Sequence, residues 1–503
     1  MQVSWGDDLL DTTQGQDVLG VRGIDQAVEL GLVNGITTIS QRARYLSILP
    51  WAIADFLIAN AEEGFDWDRF MAFLRRVEFV TLAASILDDE LNGADATAAL
   101  GSDIHRDRLD LLLSGVSVSL PDDKGGAILG TYLGPCRAIG LLIDGDEIIP
   151  YHPTPVGKKI WKSREKRLQD SPVMAAISNG AEFSPELAEA AIPDFSLGSL
   201  PNAGEEARLL YSALTNPWSP NNEFDQERVT KAYDGINGTI AWANAMLSAE
   251  HDDAAGILVR NFKSCIDGDS ENQVAFRWAE YEYRRRCHFA LELLLAALTA
   301  TLNEFEDASI AEIVSNWRET FELLQFLMEL WPRASGAWGL KVSEGLASIP
   351  ERLFDGNSLP TNELRYVAPG NQALAAIAIL AATARQTKTI RDGGYFDRIS
   401  SSPGERAVDV IESTGAGSFF HLVMKLVELT AMAHLQTTLR KMGAGQKCSL
   451  RFFPDGPRLR PTGLGMSAGH SGDRLTNVLR ILTDVGELQR RSGQFMPSEG
   501  GMQ

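Results

Sequence analysis

The sequence predicts a mainly α-helical, multi-domain protein with two small winged-helix-like α+β segments. Apolar residues recur at helical spacing over six long stretches, 40–60, 70–91, 272–303, 309–330, 371–389 and 418–442. A chain of 503 residues, 44% apolar and 22% charged, can bury several cores rather than one. Strand-like patterning is confined to short hairpins beside helix-forming segments.

The N-terminal 100 residues form a helical domain. Thr37-Thr38-Ile39-Ser40 supplies N-cap chemistry, and Ile48, Leu49, Ile53, Phe56 and Leu57 then recur at helical spacing. Pro50 forces a kink or a break in that helix. A second helix lines Phe70, Phe73, Leu74, Val77 and Val80 along one face.

Residues 101–170 are the first winged-helix-like segment. A helix-compatible run ends at Ile139-Gly140, and Leu141, Leu142 and Ile143 make a short strand. Gly145 supplies the turn, and Ile148, Ile149 and Tyr151 return as a second strand. Thr154-Pro155-Val156-Gly157 then opens a basic helix.

Residues 171–235, rich in Pro, Gly, Asn and Ser, read as an irregular linker with short helices such as Glu205–Leu214. Residues 236–360 form a helical middle domain containing Trp242–Glu250, Asn272–Asn303 and Ser309–Leu330. The end of the 272–303 helix, LELLLAALTATL, is apolar enough to be deeply buried. After a loop region at 350–370, residues 361–503 form a C-terminal helical domain with a hairpin and a second winged-helix-like end. There the hairpin CSLRFFPDGPRLRP is followed by an amphipathic helix over 473–486. Asp473 is placed to cap that helix and Gly486 to end it, while the tail SGQFMPSEGGMQ is expected to be disordered.

Four cysteines, Cys136, Cys265, Cys287 and Cys448, lie far apart without a C-x-x-C pair, which argues against a zinc or disulfide framework and for a reducing compartment. No secretory leader is visible in MQVSWGDDLLDTTQ. The longest uncharged stretch, Tyr366–Ala384, is interrupted by Pro369 and Gly370 and reads as a core helix rather than a membrane span. The expected location is the cytoplasm, with no membrane contact.

The net charge of −21 disfavours non-specific DNA binding over the whole surface. Its distribution is uneven, because 440–491 carries ten Lys or Arg against four Asp or Glu. A second basic run, Lys158-Lys159-Ile160-Trp161-Lys162-Ser163-Arg164-Glu165-Lys166-Arg167, follows the first hairpin. A charge run is most simply a solvated face, but both runs coincide with both hairpins. The candidate nucleic-acid contacts are therefore Lys158, Lys159, Arg440, Lys441, Arg451, Arg458, Arg460, Arg474 and Arg480.

Catalytic motifs are weak. Gly465-Met466-Ser467-Ala468-Gly469 matches G-x-S-x-G, but Arg460-Pro461 is a poor central strand and the only histidine downstream is His470. Asp267-Gly268-Asp269-Ser270-Glu271 begins like a calcium loop yet has Asn272 and Trp278 where Gly and Glu are required. Arg284, Arg285 and Arg286 spread around their helix and are best explained by ion pairs with Glu280 and Glu282. Asp88, Asp89 and Glu90 point in different directions on one helix and make no metal cage by themselves. No catalytic residue, metal ligand or cofactor site is assigned. Arg42 and Arg44, early in a helix, oppose the macrodipole and require acids or an anion; they point to different faces, so at most one of the two is expected to be buried in an interface.

The string from Gly35 through Arg42-Ala43-Arg44-Tyr45 to Pro50-Trp51 resembles the N-terminal signature of a group of uncharacterised bacterial defence-island proteins. Tyr132-Leu133-Gly134-Pro135, Gly140-Leu141-Leu142 and Thr154-Pro155-Val156-Gly157 look similar to that group. So do His434–Lys441 and Arg474–Leu482, and together these stretches cover about 120 of 503 residues. Such proteins are encoded beside helicases, nucleases or ATPases. The resemblance implies a non-catalytic subunit of an anti-phage defence complex, scaffolding or guiding nucleic acid for such a partner, with DNA or RNA as a further ligand. The alternatives are a metal-dependent nuclease whose site is not visible as a motif, or a winged-helix transcriptional regulator.

Overall fold

A computed structural model describes residues 17–147, 149–216, 223–270, 272–320, 331–350, 359–397, 399, 402–413, 417–470 and 472–498. The chain is 63% helical, with 20 helices and four two-stranded antiparallel sheets among the described residues. In chain order the first ten helices are α1 (Arg22–Leu30), α2 (Arg44–Ala59), α3 (Trp67–Asn92), α4 (Arg106–Leu113), α5 (Ala127–Ala138), α6 (Pro155–Leu168), α7 (Pro172–Asn179), α8 (Pro185–Phe195), α9 (Glu205–Thr215) and α10 (Glu223–Ala249). Then come α11 (Ala254–Asp267), α12 (Gln273–Leu302), α13 (Ile310–Thr320), α14 (Ala334–Ala337), α15 (Val342–Ala347), α16 (Thr361–Arg365), α17 (Pro369–Asp392), α18 (Pro403–Ser413), α19 (Phe419–Gly443) and α20 (Leu475–Asp484). The strands pair as β1 (Val118–Ser119) with β4 (Glu182–Phe183), and β2 (Leu142–Asp144) with β3 (Tyr151–Pro153). The other two pairs are β5 (Phe452–Asp455) with β6 (Arg458–Pro461), and β7 (Leu488–Arg491) with β8 (Gln494–Pro497).

The chain divides into two units, each assembled from separated stretches. One takes residues up to Glu29 together with Ala255–Gly472; the other takes Leu30–Ala254 together with the residues from Asp473 onward.

In the second of these units α2 is the central helix, buried along most of its length and packed on α5 and α6. It runs unbroken through Pro50. Proline offers no N–H to the carbonyl four residues before it, and the Cys136 thiol reaches that carbonyl, Leu46 O, at 3.7 Å. Trp51 meets Phe195 of α8 edge-on at 5.8 Å, which joins the α2 core to the α3–α8 pair. The stretch read as a linker supplies α7, α8 and α9 and buries Phe183, Phe195, Leu200 and Leu210; residues 217–222 lie outside the described residues. Trp242–Glu250 is the end of the longer α10. The unit is closed by α20, whose apolar face, Leu475, Val478, Leu479 and Leu482, is buried. Asp473 accepts from Thr476 N at 2.8 Å, and Gly486 turns the chain at φ 88°.

After α20 the chain forms β7 and β8 rather than an open tail, with Leu488 and Phe495 buried and Phe495 N bonded to Asp252 O. Burial of these two apolar side chains overrides the local Ser-Gly and Pro signals, and residues 499–503 lie outside the description. The PDGP hairpin, β5–β6, falls in the other unit.

The core of that other unit is the pair α12 and α17, joined by α13, α18 and α19. Every residue of α12 from Trp278 to Thr299 is buried. Pro369 occupies the first turn of α17, and the helix is buried from Gly370 to Ala384, as a core helix must be. The predicted 309–330 helix is seen over Ile310–Thr320, its remainder lying outside the description. Among the described residues no helix is long and apolar enough to cross a membrane.

Candidate nucleic-acid interface

The first basic run lies on α6, and the residues before it explain its setting. Thr154 caps the helix by accepting from Gly157 N at 3.1 Å and donates to Gly140 O at 2.6 Å, which fastens the helix to the hairpin. A Cβ on Gly157 would lie 2.3 Å from Leu141 O, so only glycine allows this approach. Gly157, Ile160, Ser163, Arg164 and Leu168 form the inner face. Lys158, Lys159, Lys162 and Lys166 are exposed on the opposite side, and none of the four has an ion-pair partner among the described residues. Lys158, Lys162 and Lys166 follow each other at steps of four residues, about 6 Å of helix rise each. Lys158 and Lys159 add positive charge to the first turns, where the helix dipole is already positive.

The run's arginines behave differently. Arg164 turns inward over the rings of Trp51 and Phe195, 5.0 and 5.3 Å from their centroids, and its Nη1 lies 2.8 Å from Glu206 Oε1. Arg167 bridges Asp194 and Glu206 at 2.6 and 2.5 Å. Two of the six basic residues are therefore structural. Lys162 and Lys166 complete the exposed face and add to Lys158 and Lys159; their spacing from Lys158 is visible in the sequence.

The other candidates are divided between the two units. Arg440 is exposed near the end of α19, while Lys441 donates to Asp17 O at 2.7 Å. Arg451 is buried, and its backbone N–H is bonded to His434 Nε2 at 3.0 Å. Arg458 sits between Asp307 and Glu312 at 2.5 and 3.0 Å, and Arg460 is partly buried. In the other unit Arg474 is buried with Nη1 donating to Ile36 O at 3.1 Å, and Arg480 donates to the Gln41 side-chain oxygen. Of the ten basic residues in 440–491, Lys441, Arg458, Arg474, Arg480 and Arg490 thus meet acceptors within the chain.

Arg42 and Arg44 are both buried inside one unit. The faces they point to are different, but each meets its own acid. Arg42 makes a two-pronged pair with Asp484, Nε and Nη2 both at 3.0 Å, and its Nη1 donates to the carbonyls of Asp95 and Thr97. Ala43 N bonds the same carboxylate at 2.8 Å. Tyr45 accepts from Leu100 N at 2.8 Å and its ring lies 4.9 Å from Tyr132. Arg44 reaches Glu206 at 3.4 Å and Ser199 Oγ at 2.8 Å. Burial alone would raise the Glu206 carboxyl, yet Arg164, Arg44, the Ser47 hydroxyl and Arg167 hold it at about 2. Burial lowers Arg44 to about 10, so it stays cationic. The R-A-R-Y string is a folding device.

In the other unit α12 carries its charges in the core. Arg284 pairs with Glu280 at 2.6 Å and Arg286 with Glu282 at 2.8 Å, as expected from their spacing. His288 Nδ1 lies 2.7 Å from Asp25. The loop after β6, which includes the G-x-S-x-G match, lies on this helix: Gly469 N donates to Glu292 at 2.6 Å and His470 Nδ1 is 2.6 Å from Arg285. Ser467 is exposed in a loop that no helix follows before α20, so the strand–turn–helix of a nucleophile elbow is absent there. Asp88 is buried and accepts from Ser196 Oγ at 2.5 Å, whereas Asp89 and Glu90 are exposed, so the acid trio diverges. Asn272, in the calcium-like loop, caps α12 by accepting from Val274 N. Among the described residues no group of three or more His, Cys, Asp or Glu is placed to hold a metal ion.

No protein-family model, curated protein or solved structure matches the chain.

Proposed function

We propose that this chain is a non-catalytic subunit of a bacterial anti-phage defence complex that holds nucleic acid for a partner ATPase, helicase or nuclease, with the lysine face of α6 as its phosphate contact. One observation carries the nucleic-acid part: in a chain of net charge −21, Lys158, Lys159, Lys162 and Lys166 share an exposed helix face without an ion-pair partner among the described residues. A row of lysines acts on phosphate as point charges, so binding dominated by it is sequence-tolerant and salt-sensitive. The defence setting rests on the resemblance of the R-A-R-Y…P-W string and the T-P-x-G segment. The nuclease alternative draws no support from Asp88, Asp89 and Glu90, which do not converge.

Two measurements test the proposal. Fluorescence anisotropy with a labelled 30-base-pair duplex and a 30-nucleotide RNA at 50 mM salt should show retention by the wild type. The triple variant Lys158→Glu, Lys162→Glu, Lys166→Glu should lose it with an unchanged helical signal. Deletion in the native host should abolish phage protection, and affinity purification there should recover an ATPase, helicase or nuclease. A wild-type salt slope retained by the triple variant, or unchanged phage resistance on deletion, overturns the corresponding half.

A further inference from the structure

Beside its lysine face, α6 borders a second feature of opposite charge. The end of α2, α6 and α7 enclose a groove of about 560 Å³ within one unit. Its apolar walls include Ile58, Trp161 and Met174, with Ile58 57% exposed. Asp55, Glu165 and Asp170 also line it, and among the described residues no lysine or arginine does. Asp55 is half-buried against Trp161 and near Glu165, and burial pushes its carboxyl up from the usual range. Partly desolvated carboxylates without a counter-charge are unfavourable, and a cation supplied from outside would relieve that cost.

We propose that this groove is a docking site for a basic–apolar segment of a partner protein, in which a lysine or arginine lies on Trp161 between Asp55 and Glu165. Charge complementarity selects the basic residue. The indole face favours it further by cation–π attraction, roughly 0.5–2 kcal/mol. Flanking apolar residues would cover Ile58 and Met174. Three carboxylates repel phosphate, so nucleic acid does not compete for the groove. Trp161, Glu165, Leu168 and Gln169 of α6 line the groove and none of the α6 lysines does, although Glu165 and Gln169 lie close around the helix to Lys158 and Lys162, so the two features share an edge.

The probe is the peptide Gly-Leu-Lys-Leu-Lys-Leu-Gly-amide carrying fluorescein on its N-terminus, compared with its Lys-to-Glu counterpart on the full chain. The lysine peptide should bind at least tenfold more tightly by anisotropy. Carbodiimide coupling, which joins amines to carboxylates, should link it to Asp55, Glu165 or Asp170 by peptide mapping. The double variant Asp55→Asn, Glu165→Gln should lower affinity at least tenfold. Because Asp55 is half-buried, Glu165→Gln with the exposed Asp170→Asn serves as a second variant, and circular dichroism checks both for folding. Equal binding of both peptides, coupling elsewhere, or full affinity in the folded variants overturns the proposal, as does self-association that leaves the groove closed to the peptide. The charge-reversed α6 lysine variant should keep peptide binding, so failure of the nucleic-acid reading is separable from failure of this one.

Discussion

Arg42 and Asp484, 442 residues apart in the chain, form a two-pronged ion pair buried inside one unit. The same carboxylate bonds Ala43 N, and the same guanidinium bonds the carbonyls of Asp95 and Thr97. One pair therefore ties the start of α2, the loop after α3 and the last helix together.

Asp484→Ala should be among the most damaging single changes in this unit. It leaves a buried guanidinium without its acid, which typically costs about 3–5 kcal/mol. The expected result is a lowered unfolding midpoint and faster hydrogen exchange over 42–59 and 473–486, with protection of α12 and α17 unchanged.

Acid should weaken the two units in sequence. His434 is buried, its Nδ1 against Val18 O and its Nε2 accepting from Arg451 N. Burial lowers it to about 4 from 6.5, so the folded state resists the proton that the unfolded chain accepts. Its contribution is intact above 6.5 and is lost as pH falls toward 4. Glu206 is the opposite type, held at about 2 from 4.5, with its contribution present above 4.5 and lost toward 2. Exchange protection should fail first around α19, then around α2 and α9. His434→Gln should flatten the first phase, each shifted unit being worth about 1.4 kcal/mol.

Gly157→Ala should destabilise the α5–hairpin–α6 segment by more than the usual helix gain of alanine, since its Cβ would press on Leu141 O at 2.3 Å. Thermal melting should show a loss rather than a gain. A gain would mean that the hairpin carbonyl moves freely.

Charge reversal separates contact residues from structural ones. Lys158→Glu, Lys162→Glu and Lys166→Glu should leave the melting temperature nearly unchanged and remove the salt-dependent part of nucleic-acid binding. Four phosphate contacts correspond to a slope of about −3.6 in log affinity against log salt. Arg451→Glu and Arg458→Glu should instead lower stability, because one is buried and the other is held by Asp307 and Glu312.

The helices were readable because their evidence is local: α2, α3, α12, α17 and α19 lie close to the predicted stretches, and Thr154, Asn272 and Ser418 cap where their side chains suggest. The partners of the charged residues were not readable, because they are distant in sequence. Nothing near Arg44 points to Glu206, and nothing near Arg458 points to Asp307. Local composition therefore presented Arg164 and Lys166 alike, although one is buried and the other exposed. The hairpin β7–β8 was hidden by the same logic, since it is held by burial of Leu488 and Phe495 and a bond to Asp252 O.

The stitching of each unit from separated stretches has a consequence during synthesis. Arg42 emerges from the ribosome 442 residues ahead of Asp484, an interval of roughly 20–90 s at ordinary elongation rates. Asp25 likewise waits for His288. For that interval Arg42 lacks its carboxylate, whereas Arg44 meets Glu206 only 162 residues on, so the start of α2 is the last part of that helix to be completed and a natural client for a chaperone. A premature stop anywhere before Asp484 would leave an early segment that cannot complete its core, so truncated copies should be degraded rather than accumulate as competitors for the binding partners of the full chain.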